Sequence, residues 1–295
     1  MNKKVVVFGG NGFIGSYVIE ELLKRGYRVT SADIKESKYV DTKIFVKCDI
    51  LDKNNVDELI KGHEIVYNFA GFANLDDAIA NPVKAMELNV LGNMNILEGC
   101  RKYNIERFVY ASSAYAMSDK GSFYGISKLT SEKIVEEYYK KFGLEFTIIR
   151  YGSVYGDRDF YNNYIYNLLK EAYTNKKIIH SGDGEESREY IHVIDVAKLA
   201  VDVIENKKFV NEHLILTGVE KLKRKELFEM IKEMLGGDLV IELKKDGYHN
   251  HYKYIPYSFI PTRSKKLVSN PYIDMGQGLL DCLKDIEENL KDKNE

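Results

Sequence analysis

One run near the start of the chain, KKVVVFGGNGFIG at positions 3–15, restricts the fold more than any other stretch. Val5, Val6, Val7 and Phe8 form the short, β-branched apolar run of a strand buried on both faces. Gly9, Gly12 and Gly15 follow at three-residue spacing, and from Phe13 the pattern turns helical, with Ile14, Val18, Ile19, Leu22 and Leu23 on one face. Strand, glycine turn and helix together predict a phosphate cradle. Without Cβ atoms the chain can turn sharply and approach a pyrophosphate, and the helix N-terminus offers free N–H groups and the positive end of its dipole. The expected contacts come from Gly9, Gly12, Phe13, Ile14 and Gly15, with Gly15 also letting helix and strand pack closely.

Three glycines alone are weak evidence, and the context supplies the rest. The next strand, over 27–34, ends in Asp33, 18 residues after Gly15. A carboxylate there accepts hydrogen bonds from adenosine ribose hydroxyls and repels a 2′-phosphate, which favours NAD over NADP; Lys35 nearby softens the preference. A third strand over 43–47 leads to Asp49 and Ile50, where Asp49 is placed either to reach the adenine amino group or to cap the next helix. Ala70 and Gly71 follow a fourth strand over 64–69, where a parallel strand's C-terminal edge should meet the cofactor.

Strands alternate with helices up to residue 149: helix over 54–62, helix over 83–103 with Ala85, Leu88, Leu91 and Leu97 as its core stripe, strand over 107–111, helix over 123–142 and strand over 145–149. That alternation predicts an α/β fold, a Rossmann-type doubly wound parallel sheet. Asn89 is out of place by helix propensity, and serves either as a partly exposed polar residue or as a tether near the site. Beyond Arg150 the rhythm changes: loop over 151–158, helix over 161–174, short extended pieces at 178–180 and 188–192, helix over 193–205 and strand over 213–216. A helix (224–235), a strand (239–243), an irregular tyrosine-rich stretch (248–257), a terminal helix (275–290) and a frayed end (291–295) complete the chain. Residues 1–150 with 193–217 are therefore expected to bind the dinucleotide, and 151–192 with 218–295 to form a smaller α/β lobe.

Composition excludes more than it proposes. A chain of 295 residues with net charge −2 gives no electrostatic case for a nucleic acid partner. No apolar run reaches membrane-spanning length, and a strand at the very start leaves no room for a signal peptide. Cys48, Cys100 and Cys282 are too far apart for a metal site and read as reduced thiols of a cytoplasmic protein.

Tyr124 and Lys128 have the Tyr-x-x-x-Lys spacing that puts both on one helical face. The spacing recurs at Tyr39/Lys43, Tyr166/Lys170 and Tyr173/Lys177, so position selects Tyr124: it opens the helix after the fifth strand, 11 residues past Ser113. A free phenol titrates near about 10 and needs a neighbouring ammonium, or a positive nicotinamide ring, to act as a base at neutral pH. Ser113 can hydrogen-bond an oxygen passing between alcohol and ketone. Tyrosine, lysine and serine beside NAD form an apparatus for oxidising a secondary alcohol.

The chain resembles the extended short-chain dehydrogenase/reductases, specifically the nucleotide-sugar epimerase/dehydratase family. The resemblance rests on FGGNGFIG at 8–15, Asp33, CDI at 48–50, NFAG at 68–71, LNVLGNMNIL at 88–97, YASSA at 110–114, YGISK at 124–128, IIRYGSVYGDR at 149–158 and GDGEESREYIHVIDVA at 182–197. It implies that the second lobe holds a nucleoside diphosphate sugar, GDP- or UDP-linked. Arg188 takes the place of the family's diphosphate-binding arginine, a role that suits a permanently charged fork of donors. Ser112, Arg158, Asn162 and Asn163 are weaker candidates for the same pocket, and His192 is expected to support its loop. Lys265 and Lys266 fall where the family often has a Ser-Lys pair. The resemblance further implies a homodimer, built on helices near 83–103 and 123–142.

Departures narrow the reaction. Ala114 and Tyr115 stand where the 4,6-dehydratases usually carry an Asp-Glu pair, which disfavours dehydration. Ala116-Met117-Ser118 replaces a common Val-Tyr-Gly, the stretch from Ser113 to Tyr124 is short, and Ser153 and Asp157 replace a common Asn and Pro. The expected activity is NAD-dependent oxidation at C4 of the sugar, either as a 4-epimerase or as a net C4 dehydrogenase. An NAD(P)H-dependent keto-sugar reductase and a non-catalytic NAD sensor are the competing readings; the sensor is disfavoured because Tyr124 and Lys128 are intact.

Overall fold

The computed structural model describes residues 3–244, 251–258 and 264–291. Its organising strand is β1 (Lys4–Phe8), in which Val5, Val6, Val7 and Phe8 are fully buried. The chain turns at Gly9 into α1 (Phe13–Lys24) and returns as β2 (Arg28–Asp33), parallel to β1 with Phe8 opposite Ala32. β3 (Phe45–Lys47), α2 (Lys53–Ile60) and β4 (Ile65–Asn68) follow. Then come α3 (Leu75–Ala80), α4 (Pro82–Met86), a π-helical segment (Glu87–Gly92) and α5 (Asn93–Lys102). β5 (Arg107–Ser113), α6 (Ser122–Phe142) and β6 (Phe146–Tyr151) close this half. The second half runs β7 (Ser153–Tyr155), α7 (Tyr164–Asn175), β8 (Lys177–Ser181), β9 (Ser187–His192), α8 (Val193–Glu205) and β10 (Glu212–Leu216). It ends with β11 (Lys221–Lys223), α9 (Arg224–Met234), β12 (Val240–Lys244), β13 (Lys265–Leu267) and α10 (Met275–Lys291).

Among the described residues, eight parallel strands form one sheet in the order β13-β10-β6-β5-β4-β1-β2-β3. The strand order reverses between β1 and β4, which opens a crevice beyond their C-terminal ends where such sheets bind ligands. Helices α1 and α8 bury one face of the sheet, with Val18, Leu22, Val196 and Val201 in the core. On the other face, α2, α5 and α6 bring Val56, Ile60, Leu97 and Val135 against Phe8, Phe108 and Ile148. A third core, from Leu169, Phe228, Leu279 and Ile286, joins α7, α9 and α10 into the smaller lobe.

The helix expected over 83–103 forms, with a π turn at Glu87–Gly92 interrupting its α periodicity. Pro82 starts α4 because it needs no N–H partner at a helix's first turn, and the wider π turn then rotates the following side chains. Ala85 and Leu97 stay in the core, whereas Leu91, expected beside them, is 54 % exposed. β7 arises where the sequence predicts loop, α3 in a stretch to which the sequence assigns no element, and β13, three residues of sequence KKL, adds an unforeseen edge to the large sheet by pairing with Leu214–Leu216 of β10. The tyrosine-rich stretch and the frayed end lie partly outside the described residues.

Candidate active site

A cavity of about 410 Å³ lies beyond the C-terminal ends of β1, β2, β4 and β5. Gly9, Gly12, Phe13, Ile14 and Gly15 line it, together with Asp33, Asp49, Ile50, Ala70, Gly71, Ser112, Ser113, Tyr124, Lys128 and Asn162. The glycines are sterically required. A Cβ on Gly15 would come within 2.3 Å of the Gly9 carbonyl oxygen, and one on Gly9 (φ +74) within 2.5 Å of the Ala70 nitrogen. Gly12, at the N-cap of α1, has no side chain to satisfy the first-turn N–H groups, so these remain for a ligand's phosphate oxygens.

Asp33 is anchored at the end of β2. Its Oδ2 accepts from the Asn11 backbone N–H at 3.1 Å and its Oδ1 from that of Ile34 at 2.8 Å. Burial raises its pKa, and these hydrogen bonds and Lys35 pull it back down. The narrow glycine turn, the uncapped helix end and an acidic group at the tip of β2 fit a dinucleotide without a 2′-phosphate. Asp49 does not cap α2; Asp52 does, accepting from Asn54 and Asn55, while Asp49 accepts from the Leu51 N–H at 2.9 Å and stays in the cavity wall.

At the far end of the cavity, the Tyr124 phenol and the Ser113 hydroxyl stand side by side in the wall. Burial pushes the Tyr124 phenol up, and the nearby serine only partly offsets this. Lys128 lies beneath, 5.9 Å from the Tyr124 ring centroid, with its Nζ donating to the Ala111 carbonyl at 2.9 Å. Burial brings Lys128 down to about 8, against the pull of the Glu132 carboxylate. Both shifts run against the expected easy phenolate, because the low dielectric disfavours each charged form.

Ser113, Tyr124 and Asn162 also line a second cavity of about 1110 Å³, so the two spaces meet at the hydroxyl pair. Arg188 lines this larger space from β9, stacked 4.0 Å from the Tyr252 ring centroid while its NH1 donates to the Ser187 carbonyl. Arg224, at the start of α9, lies in the same wall over Tyr164, 4.2 Å from the ring centroid. Sequence reasoning missed Arg224 because, within KLKRKEL, a basic residue at a helix start reads as solvated; it is 8 % exposed.

Other candidates are placed elsewhere or otherwise occupied. Arg158 lines neither cavity: it stacks on Tyr17 at 3.7 Å and bonds Ser16 and Glu20, clamping its loop to α1. Ser112 lines the cofactor cavity, but its hydroxyl donates to buried Glu132 at 2.5 Å. Asn163 is fully buried and ties its own loop by donating to the Gly156 and Arg158 carbonyls. His192 accepts from the Ile194 N–H at the start of α8, as a loop support would. Asn89 proves to be a tether: buried in the π segment, it bonds both backbone groups of Phe72 and the Ser127 hydroxyl. Lys265 and Lys266 pair with Glu212 and Glu189. The three cysteines are buried and unpaired. Among the described residues no group of His, Cys, Asp and Glu is placed to hold a metal ion, and no helix is long and apolar enough to cross a membrane.

Comparison with known proteins agrees with this geometry. A Methanocaldococcus jannaschii protein bearing the name UDP-glucose 4-epimerase is 31% identical, over 93% of this chain and 95% of its own. A Bacillus cytotoxicus UDP-N-acetyl-alpha-D-glucosaminuronate decarboxylase is 29% identical over 76% of this chain and 77% of its own. The Bacillus cereus UDP-glucuronic acid 4-epimerase, solved with UDP-glucuronic acid and NAD, has the same fold: TM-score 0.83 at 22% identity, over 97% of this chain and 99% of that one. The sequence profile of the NAD dependent epimerase/dehydratase family matches residues 5–216, a span from the first strand through the last strand of the return unit. The cradle, the hydroxyl pair and the lysine beneath it all lie within that span, and the chain belongs to the NAD-dependent epimerase/dehydratase family.

Proposed function

We propose that the protein is a 4-epimerase of a UDP-linked sugar, working through a 4-keto sugar. The observation that carries this reading is that Ser113 and Tyr124 line both the cofactor cavity and the larger cavity, along the boundary that the two spaces share. NAD, when bound, supplies a hydride acceptor and donor at that junction. Tyr124 takes the proton of the C4 hydroxyl, and Ser113 donates to the oxygen as it becomes a carbonyl. Lys128, held under the phenol by the Ala111 carbonyl, contributes the positive charge that a forming phenolate needs. Arg188 and Arg224 hold the diphosphate, leaving the sugar free to present either face in a space of about 1110 Å³. UDP is supported by the names of the relatives and by the sugar nucleotide in the Bacillus cereus complex.

We also propose a cytoplasmic homodimer serving polysaccharide synthesis. Leu91, Phe123, Ile126 and Leu129 lie exposed on the π segment and α6, an apolar set suited to a second copy. Ile126→Glu should then yield monomers on sedimentation. The central test incubates the protein with UDP-, GDP- and dTDP-sugars and follows the products by NMR. Inversion at C4 supports the reading, an accumulating 4-keto sugar with free NADH identifies a net dehydrogenase, and no change at C4 for any sugar rejects both.

A further inference from the structure

We propose that Tyr115 and His251 form a second proton-transfer couple in this site, one that exchanges the hydrogen on a carbon next to C4 while C4 is a ketone. The inference rests on the proposed C4 oxidation and adds an activity to it. Tyr115 lies in the 3₁₀ turn Ala114–Met117 immediately after Ser113, whose Oγ accepts from its backbone N–H at 3.2 Å. The couple is thus fixed to the same backbone as the hydroxyl that faces C4. The Tyr115 ring meets the Tyr124 ring edge to face, with centroids 6.1 Å apart, and both line the larger cavity.

The phenol of Tyr115 is hydrogen-bonded at 2.6 Å to Nδ1 of His251, which reaches the cavity from 136 residues further along the chain. On the other side of that imidazole, Nε2 is 3.9 Å from Asp76 Oδ2. Asp76, His251 and Tyr115 therefore follow one another along the cavity wall towards Tyr124. Among the charged groups acting on the imidazole are Asp76, Arg188 and Arg224. Burial lowers its pKa, Asp76 opposes that, and the two arginines add to it. The balance favours the neutral ring, and Nδ1 is the nitrogen turned to the phenol.

The chemistry follows from the position. A C–H bond next to a ketone is acidified because its electron pair can be delocalised onto the carbonyl oxygen. C3 and C5 are each one bond from the carbon that Tyr124 serves. In the step, the C–H bond breaks and its pair forms a C=C bond, while the carbonyl π pair moves onto the C4 oxygen faced by Ser113 and Tyr124. The proton goes to the Tyr115 oxygen as the phenol's own proton passes to His251 Nδ1. The reverse returns a proton to carbon, and because His251 is only partly buried, that proton has exchanged with solvent. No electrons are gained or lost. A couple that merely tied the 251–258 segment to the 114–117 turn would leave these carbons untouched.

The test is turnover of UDP-glucose, UDP-N-acetylglucosamine and UDP-glucuronate in D₂O, with C4 change followed by NMR and bound NADH by absorbance. Deuterium is read at each carbon by NMR and mass spectrometry. The expected result is deuterium at C3 or C5 of the recovered sugar, with the deuterium per C4 turnover falling at least tenfold in Tyr115→Phe and in His251→Gln. C4 turnover by the unaltered protein without deuterium at either carbon overturns the couple and leaves the C4 reading standing. Undiminished exchange per turnover in both variants overturns it as well, by assigning the proton transfer to other groups. No C4 change with any of the three sugars removes the couple together with the reading beneath it.

Discussion

The Lys128 ammonium donates to the Ala111 carbonyl at 2.9 Å, which ties the second turn of α6 to the end of β5. The bond holds the lysine behind the Tyr124 ring, where it acts as a fixed charge under the phenol. Burial opposes the charge on both groups, which makes the ammonium more acidic and the phenol less so, and charge developing on either one favours the opposite charge on the other.

Tyr124→Phe removes the proton acceptor but keeps the ring's packing. Turnover should fall by about 10²–10⁴-fold, the usual worth of a positioned acid or base, while NAD and the sugar nucleotide still bind. Steady-state kinetics alongside calorimetric titration of each ligand checks this. Turnover within a few-fold of the parent would take the proton transfer away from Tyr124.

Asp33 sets the choice between the two nicotinamide dinucleotides through charge at the tip of β2. Asp33→Asn should weaken NAD and strengthen NADP, shifting their affinity ratio by roughly tenfold or more, since the removed term is a repulsion worth about 1–3 kcal/mol. Paired titrations with NAD and NADP measure the ratio directly. An unchanged ratio would show that the discrimination is made elsewhere.

Arg188→Ala and Arg224→Ala should each weaken the sugar nucleotide by about 10- to 100-fold, as expected for charge-assisted hydrogen bonds of roughly 1.5–3 kcal/mol, and leave NAD nearly unaffected. Both side chains line the larger cavity and not the cofactor cavity. Equal losses for both ligands would misplace them.

Glu132 is fully buried and takes three hydrogen bonds, from Ser112 at 2.5 Å and from Arg150 at 2.8 and 2.6 Å. Glu132→Ala strands the buried Arg150 guanidinium and should cost about 3–5 kcal/mol, readable as a lowered denaturation midpoint. Replacing both partners, in Glu132→Leu with Arg150→Met, should recover much of the loss. A single variant with unchanged stability would contradict the burial of the pair.

Local signals account for what could be read in advance. Val5 to Gly15 specify a strand, a turn and a helix within eleven residues, and glycine at 15 is demanded by its contact with the nearby Gly9 carbonyl, whereas glycine at 9 is demanded by the close approach of Ala70 from β4's end. The alternation of apolar runs likewise placed the parallel strands through β6, and α8 with β10 as a return to the first sheet. The π turn inside the helix over 83–103 was not legible, because such a turn is stabilised by what it packs against; here Asn89 is gripped by Phe72 and Ser127. β13 was missed for a similar reason, since three residues reading KKL become a strand only when β10 offers its free edge.

The sequence by itself determined the cradle, the sheet that carries it and the residues at its mouth, because strand, turn and helix periodicities are short-range properties of the chain. Only the tertiary structure decided the neighbours of each charged or polar group: Arg158 turned away to α1, Ser112 taken by Glu132, Arg224 brought in beside Arg188, and His251 set against Tyr115. Those outcomes depend on contacts between residues as many as 142 positions apart, and on the removal of water between them, neither of which a one-dimensional pattern contains.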